Sequence, residues 1–79
     1  LLVFPNPATD LVAIQTMGIN RQELLLELVD AEGRLIASTR IHAGQSIGFF
    51  DTQTFYSGTY SLRIVSEDSI TTRRLVITH

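Results

Sequence analysis

The side chains that could carry chemistry are few and widely spaced along the chain. His42 and His79 are the only histidines, and no pair of titratable groups is placed to work together. Serines are frequent, but a serine nucleophile needs an adjacent oriented base and an oxyanion site inside a water-poor cleft. A chain of 79 residues that fills its core with its own side chains leaves little room for a cleft. The sequence therefore predicts that the chain is not an enzyme.

The positions of the carboxylates indicate residues that cap turns rather than ligands of a metal ion. Asp30, Glu32 and Gly33 superficially resemble a calcium loop, but the alternating oxygen ligands and the terminal glutamate of an EF-hand are missing. We interpret Asp10, Asp30 and Asp51 as turn-capping residues, because each lies at a strand–loop junction. Calcium at a loop end is kept as the alternative. No cofactor is predicted.

The pair Arg73-Arg74 admits two interpretations. After Asp68 the chain carries no acidic side chain, so its last stretch is basic in a domain of formal net charge −2. In the first interpretation the pair belongs to a solvent-exposed strand face, because adjacent strand residues point to opposite sides and at least one of the two must face water. Alternatively it belongs to a docking surface, because a terminal edge strand presents unpaired amides and carbonyls to a partner. The residues alone favour neither interpretation.

Composition indicates one small globular domain. The chain is 44% hydrophobic and 18% charged, which argues against disorder. It contains no cysteine, hence no disulfide or thiolate metal site, and no apolar run near the roughly 20 residues that span a bilayer. It also lacks a basic patch with stacking aromatics, so no nucleic-acid partner is predicted. We expect residues 1–79 to be a single domain excised from a larger secreted protein.

The arginine pair lies in the second strand of a predicted closing hairpin. Tyr60, Leu62 and Ile64 alternate with polar residues, which is the period of a strand with one dry face. A polar turn and a second β-rich run, Ile70–Ile77, follow. Gly58, just ahead of the hairpin, suggests a positive φ. Tyr60 suggests a tyrosine corner, in which the phenol fixes the preceding loop.

The rest of the chain divides into further short strands. Gln22–Asp30 is ambiguous, because its leucines are good helix formers. A strand is favoured by the alternation along this segment and by the type I turn at Asp30–Gly33, whose glycine is placed for a bulge. The other predicted strands are Leu1–Phe4, Leu11–Gln15, Arg34–Ile41 and Ser46–Phe50. About seven short antiparallel strands predict an all-β fold, a compact immunoglobulin-like β-sandwich.

Two connections carry the remaining turn signals. Pro5-Asn6-Pro7 breaks the first strand and sets the path of the chain into the sandwich. Thr9-Asp10 is compatible with a helix N-cap, but the short β-branched run that follows favours a tight turn into a strand. In the longest connection, Asp51 is predicted to cap a single helical turn and Phe55 to anchor in the core.

Four stretches together resemble a known family. They are Pro5-Asn6-Pro7-Ala8-Thr9-Asp10, Asp30 to Arg34, Asp51 to Tyr60 and Thr72 to Ile77. Their order and spacing are similar to those of the type A C-terminal sorting domain of the type IX secretion system, also called the Por secretion tail. The resemblance covers essentially all 79 residues. It departs from the family at Phe55, where leucine is usual, and at Arg73-Arg74, which replaces lysine and keeps its charge but not its shape.

The resemblance implies a non-catalytic sorting signal at the end of an exported protein. It implies an N-terminal cargo that passes through the periplasm and crosses the outer membrane by the type IX translocon to the cell surface or the medium. A surface sortase would then remove the domain by cutting before Leu1. On this basis we prefer the docking interpretation of the arginine pair. The predicted recognition element is Arg73, Arg74, Leu75, Val76 and Ile77.

A second group of residues is predicted to be architectural, shaping loops and pinning the hairpin. These residues are Pro5, Asn6, Pro7, Asp10, Asp30, Gly33, Asp51, Gly58 and Tyr60. Two other functions stay open. A fibronectin-like spacer or adhesion module would work anywhere in a chain, whereas a sorting signal must end it. A carbohydrate-binding module would need an exposed aromatic platform, and most of the six aromatic residues are predicted to be buried or corner-forming.

Overall fold

The computed structural model describes residues 1–79 and contains two antiparallel β-sheets. Strands β1, β2 and β5 form one sheet in the order β1-β2-β5, and the other has the order β4-β3-β6-β7. The predicted all-β sandwich of seven strands is confirmed. All seven elements are strands, and the structure contains no membrane-spanning helix. The strands are β1 Leu2–Phe4, β2 Leu11–Gln15, β3 Leu24–Val29, β4 Leu35–Ile41, β5 Ile47–Asp51, β6 Gly58–Val65 and β7 Ile70–Ile77.

The core lies between the sheets and is built from alternate residues of each strand. Leu26 and Leu28 of β3 are fully buried, while Glu27 between them points to the opposite face. This alternation explains why the leucine-rich segment Leu24–Val29 forms a strand. The turn at Asp30–Gly33 that follows also predicts a strand. Full burial of each leucine stabilises the fold by about 1.5–3 kcal/mol. The other core residues are Ala8, Val12, Ile14, Ile41, Phe50, Tyr60, Leu62, Ile64, Leu75 and Ile77.

Two glycines test the predicted turn chemistry. Gly33 has a φ of +83° and donates its N–H to the carbonyl of Asp30 at 3.1 Å, so the predicted turn is confirmed. The register also shifts between Leu28 and Val29, as a bulge requires. The positive φ predicted for Gly58 is wrong, because β6 begins at Gly58 itself and its backbone is that of a strand.

The connection after β5 is a turn and contains no helical residue. Asp51 Oδ1 accepts a hydrogen bond from the N–H of Gln53 at 3.0 Å, and Phe55 N–H donates to the carbonyl of Thr52 at 3.2 Å. The helical turn predicted there is therefore wrong, whereas the cap by Asp51 and the packing of Phe55 against the core are confirmed. The cap predicted at Asp10 is also wrong. The backbone carbonyl of Asp10, and not its carboxylate, accepts the N–H of Thr52 at 2.9 Å.

The aromatic residues are more exposed than predicted. Phe50 and Tyr60 lie in the core and Phe55 is half-buried, but the other three are exposed. Phe4 and Phe49 point away from the core because they lie on the outer side of the three-stranded sheet, opposite Ala13 in register. Alternation along a strand fixes this orientation only when the register is known.

Candidate functional site

The motif residues, distant in sequence, meet at one end of the sandwich. Gly58 at the start of β6 lies opposite Ile77 at the end of β7, and Leu11 lies opposite Asp51. Ala8 bridges Ile77 across the gap between the sheets. We call this the motif end. It comprises the connection of residues 5–10, the turn of residues 30–34, the loop of residues 51–58 and the end of β7.

The first connection closes part of the edge of β7. Asn6 donates through Nδ2 to the carbonyl of Arg74 at 3.1 Å, and its Oδ1 accepts from the N–H of Val76 at 3.0 Å. Ala8 continues the pairing, since its N–H donates to Val76 O and its carbonyl accepts from Thr78 N–H, both at 2.8 Å. The two hydrogen bonds of the Asn6 carboxamide join the first connection to β7, which is an architectural contact.

Tyr60 forms the predicted corner. Its hydroxyl donates to the carbonyl of Tyr56 at 2.6 Å, which holds the loop before β6 against the sheet. Burial raises the pKa of the Tyr60 phenol, and the carboxylates of Asp30 and Glu32 raise it further. The phenol therefore stays a hydrogen-bond donor.

His79 secures the same loop from the other side, a contact that the sequence analysis missed. Its Nε2 lies 2.7 Å from the carbonyl of Phe55, and its N–H donates to Ser57 Oγ at 3.0 Å. The position of His79 just after β7 is the one sequence signal for this contact. Ile77 pairs with Gly58, the residue that follows the loop, so the end of the chain lies beside the loop. The residue has a structural contact at the motif end and no titratable partner.

Asp30 is occupied by its own turn. Its Oδ1 accepts from the N–H groups of Glu32 and Arg34 at 3.0 and 2.9 Å, and its Oδ2 accepts from Arg34 Nε at 2.9 Å. The backbone N–H of Arg34 lowers the pKa of Asp30 most, assisted by the Arg34 guanidinium and the Glu32 amide. Asp30 in turn raises the pKa of Arg34.

A shallow depression of about 270 Å³ separates this turn from the loop that Tyr60 holds. Glu32 and Arg34 line one side, and Tyr56 to Thr59 line the other. No group of three His, Cys, Asp or Glu side chains is placed to hold a metal ion. The depression brings no nucleophile together with a base.

The arginine pair differs from most other arginines of the domain. Arg34, Arg40 and Arg63 each form an ion pair with a carboxylate at 2.8–2.9 Å. Arg73 and Arg74 are exposed and form no ion pair, and the only contact of their side chains within the domain is a long one of 3.5 Å from Arg73 Nη1 to the carbonyl of Thr72. They leave opposite faces of β7, because Arg73 lies opposite the buried Leu62 and Arg74 opposite the exposed Ser61.

The three remaining residues of the predicted recognition element are less accessible. Leu75 and Ile77 are fully buried in the core, and Val76 is half-buried with its backbone bonded to Asn6 and Ala8. The side chains of Leu75 and Ile77 therefore hold the sheets together and are not on the surface. The accessible part of the set narrows to Arg73, Arg74 and the exposed part of Val76.

The edge of β7 is open only in its first half. β7 is the outer strand of the four-stranded sheet, and Val76 turns its N–H and carbonyl outward. Because outward groups alternate along an antiparallel strand, the backbone groups of Thr72 and Ile70 point the same way. Asn6 and Ala8 cover the half near Val76. The outward backbone groups of Ile70 and Thr72 and the N–H of Arg74 stay uncovered by a strand, and only the Thr72 carbonyl has a contact, with Arg73 Nη1 at 3.5 Å. We call this segment the open edge.

The domain is a small antiparallel sandwich whose last strand carries a partly uncovered edge and two arginines without an ion-pair partner. Residues 2–78 match the family described as the secretion system C-terminal sorting domain. The chain belongs to this family of type IX secretion sorting domains, as its motifs indicated. Membership implies attachment to an N-terminal cargo, engagement of the type IX machinery, and delivery to the cell surface or the extracellular space. No curated protein matches the chain.

Proposed function

We propose that the domain is a non-catalytic export label recognised at the open edge of β7. It takes its cargo from the periplasm across the outer membrane, and a surface sortase then removes it by cutting before Leu1. The observation that carries the proposal is the combination of free backbone groups and two unpaired arginines on one edge strand. Apart from the 3.5 Å contact between Arg73 Nη1 and the carbonyl of Thr72, neither feature contributes a contact to the fold, and both suit a partner.

The proposed partner is an extended receptor segment with acidic side chains. It would add to the open edge by hydrogen bonds to Thr72 and by charge attraction to Arg73 and Arg74. Strand addition gives affinity through the backbone, while the carboxylates set the register and raise the association rate. Because both arginines are exposed, salt should weaken the encounter.

Leu75 and Ile77 serve this function indirectly. Their burial ties β7 to the opposite sheet, and His79 fixes the loop before β6. Deleting residues 73–79 would therefore remove core side chains together with the arginines. Loss of secretion after that deletion cannot separate recognition from folding, so point substitutions on the open edge are required.

The function is tested by fusing residues 1–79 to the C-terminal end of a reporter that carries its own secretory signal. In a host with the type IX system we expect the reporter at the surface or in the medium, and in a translocon-deficient strain we expect it in the periplasm. Placing the same domain ahead of the reporter should abolish export, since a sorting label acts only at the end of the chain. Export from both positions would support the spacer module instead.

A further inference from the structure

The outward side of the three-stranded sheet is apolar. Ala13 points outward because its neighbours Val12 and Ile14 point into the core. In register, Ala13 lies between Phe4 of β1 and Phe49 of β5. It is only 5% exposed although it faces away from the core, since its neighbours on that side are both aromatic. We define the outer apolar face as Leu2, Phe4, Leu11, Ala13 and Phe49.

The size of this face is considerable for so small a domain. Leu2, Phe4, Leu11 and Phe49 are 60%, 43%, 47% and 49% exposed, respectively. Together they leave about two whole large side chains in contact with water, or roughly 300–500 Å². Patches of this size on a monomer are often functional.

The opposite sheet has a different surface. Its outer side carries the ion pair between Arg63 and Glu27, at 2.9 Å, and the unpaired Arg74. Antiparallel sheets that face water normally alternate apolar inward with polar outward. This sheet does so only in part, because Ile70 and Leu35 are exposed at its two edge strands. On the three-stranded sheet, Asp51 at the end of β5 is the only charged residue of the strands. The two faces are therefore suited to different surroundings.

We propose that the outer apolar face is the seat of the cargo domain that precedes Leu1 in the same protein. This inference rests on the family's C-terminal position behind a cargo and does not depend on recognition at the open edge. β1 contributes Leu2 and Phe4 to the face and is also the strand that the preceding chain enters. A cargo attached ahead of the sorting domain is therefore tethered to a strand of this face.

The area of the face favours a tethered partner over a second copy. Stable complexes between separate proteins bury about 800 Å² on each partner, well above the area of this face. A covalent link raises the effective concentration to the millimolar range, so that a dissociation constant about tenfold below that concentration keeps the cargo on the face most of the time. The outer apolar face and the open edge of β7 belong to different sheets.

The test is hydroxyl-radical footprinting of the full-length precursor with a protease site inserted immediately before Leu1. Oxidation of Phe4 and Phe49 should be several-fold slower in the intact precursor than in the domain after cutting and separation. Tyr56 is 89% exposed and lies outside the face, so its oxidation rate should not change. Equal rates for Phe4 and Phe49 before and after cutting would overturn the proposal. So would protection that persists in a separated species with the mass of two sorting domains.

A substitution in the precursor provides the matched comparison. Phe49→Lys should remove the protection of Phe4, whereas Ile70→Lys, at an exposed apolar residue of the other sheet, should leave it in place. Oxidation of the buried Phe50 reports whether a variant has unfolded, and Leu11→Lys replaces Phe49→Lys if it has. Continued protection of Phe4 in folded Phe49→Lys or folded Leu11→Lys contradicts cargo docking. A failure of this test leaves export by the fused reporter unaffected, so the two proposals are judged separately.

Discussion

The carboxamide of Asn6 takes the place of a neighbouring strand beside Val76. Its Oδ1 accepts the Val76 N–H at 3.0 Å, and its Nδ2 donates to the preceding outward carbonyl, that of Arg74, at 3.1 Å. One side chain thereby makes the two hydrogen bonds that a paired strand would make. Asn6 divides the last strand into a closed half that completes the fold and an open half available to a partner.

Replacing Asn6 with alanine removes both of these bonds. We expect Asn6→Ala to lower the free energy of unfolding by about 1–2 kcal/mol, the net contribution of two such hydrogen bonds. Urea denaturation of the domain measures this. Gln22→Ala is the control, because the Gln22 amide bonds only to the exposed Glu67 side chain. If the urea midpoint of Asn6→Ala equals that of the control, the two Asn6 hydrogen bonds do not stabilise the fold.

Removing the corner hydroxyl tests the loop before β6. Tyr60→Phe keeps the ring in the core but leaves the carbonyl of Tyr56 without its donor, which should cost about 1 kcal/mol. Tyr56→Phe is the matched control, because the Tyr56 ring is exposed and its hydroxyl bonds to nothing. Guanidinium denaturation of both variants gives the comparison. Equal stabilities would show that the corner bond does not contribute.

The raised pKa of Tyr60 predicts a loss of stability at alkaline pH. The folded state holds the phenol proton more tightly than the unfolded chain, whose ordinary tyrosine pKa is 10.0. This contribution is fully present below that value and is lost as the pH rises through the raised folded value. The thermal midpoint of the domain should therefore fall above about pH 10. In Tyr60→Phe the fall should be smaller, and an identical pH profile would rule out this group.

Two glycines give opposite predictions for alanine substitution. A Cβ at Gly48 would lie 2.9 Å from Ile41 Cγ1 and 3.0 Å from Leu26 Cδ1, so Gly48→Ala should destabilise by about 1–3 kcal/mol. A Cβ at Gly58 meets nothing within 4 Å, and Gly58→Ala should leave stability unchanged or slightly raised. Thermal unfolding distinguishes them, and a large loss in Gly58→Ala would contradict the extended backbone assigned to it.

Local patterns predicted the strands well, because alternation and turn chemistry act over a few residues. Leu24 to Val29 forms a strand as predicted, even though leucine favours helices, because the turn at Asp30 fixes its end. The sequence predicts a positive φ for Gly58, because glycine before a strand often marks a turn. Here the strand pairs from Gly58 onward with Ile77, a contact that no local signal contains.

The candidate site was only partly predictable for the same reason. The arginine pair and the edge position of β7 follow from composition and from its place as the last strand. The cover provided by Asn6 does not, because that side chain meets Val76 across 70 residues of sequence. Nor could the sequence show that Leu75 and Ile77 face the core, since the alternation of β7 is interrupted by Arg73 on the inner side.

Recognition at the open edge is tested most directly by export of a reporter fused to the Arg73→Ala, Arg74→Ala double variant. Arg21→Ala is the matched control, because Arg21 is also exposed and forms no ion pair but lies outside β7. Thermal unfolding of both variants first establishes that each remains folded. The measured quantity is the fraction of reporter at the surface and in the medium relative to the periplasm. The account predicts periplasmic retention for the folded double variant and normal export for Arg21→Ala, whereas normal export of both would contradict it.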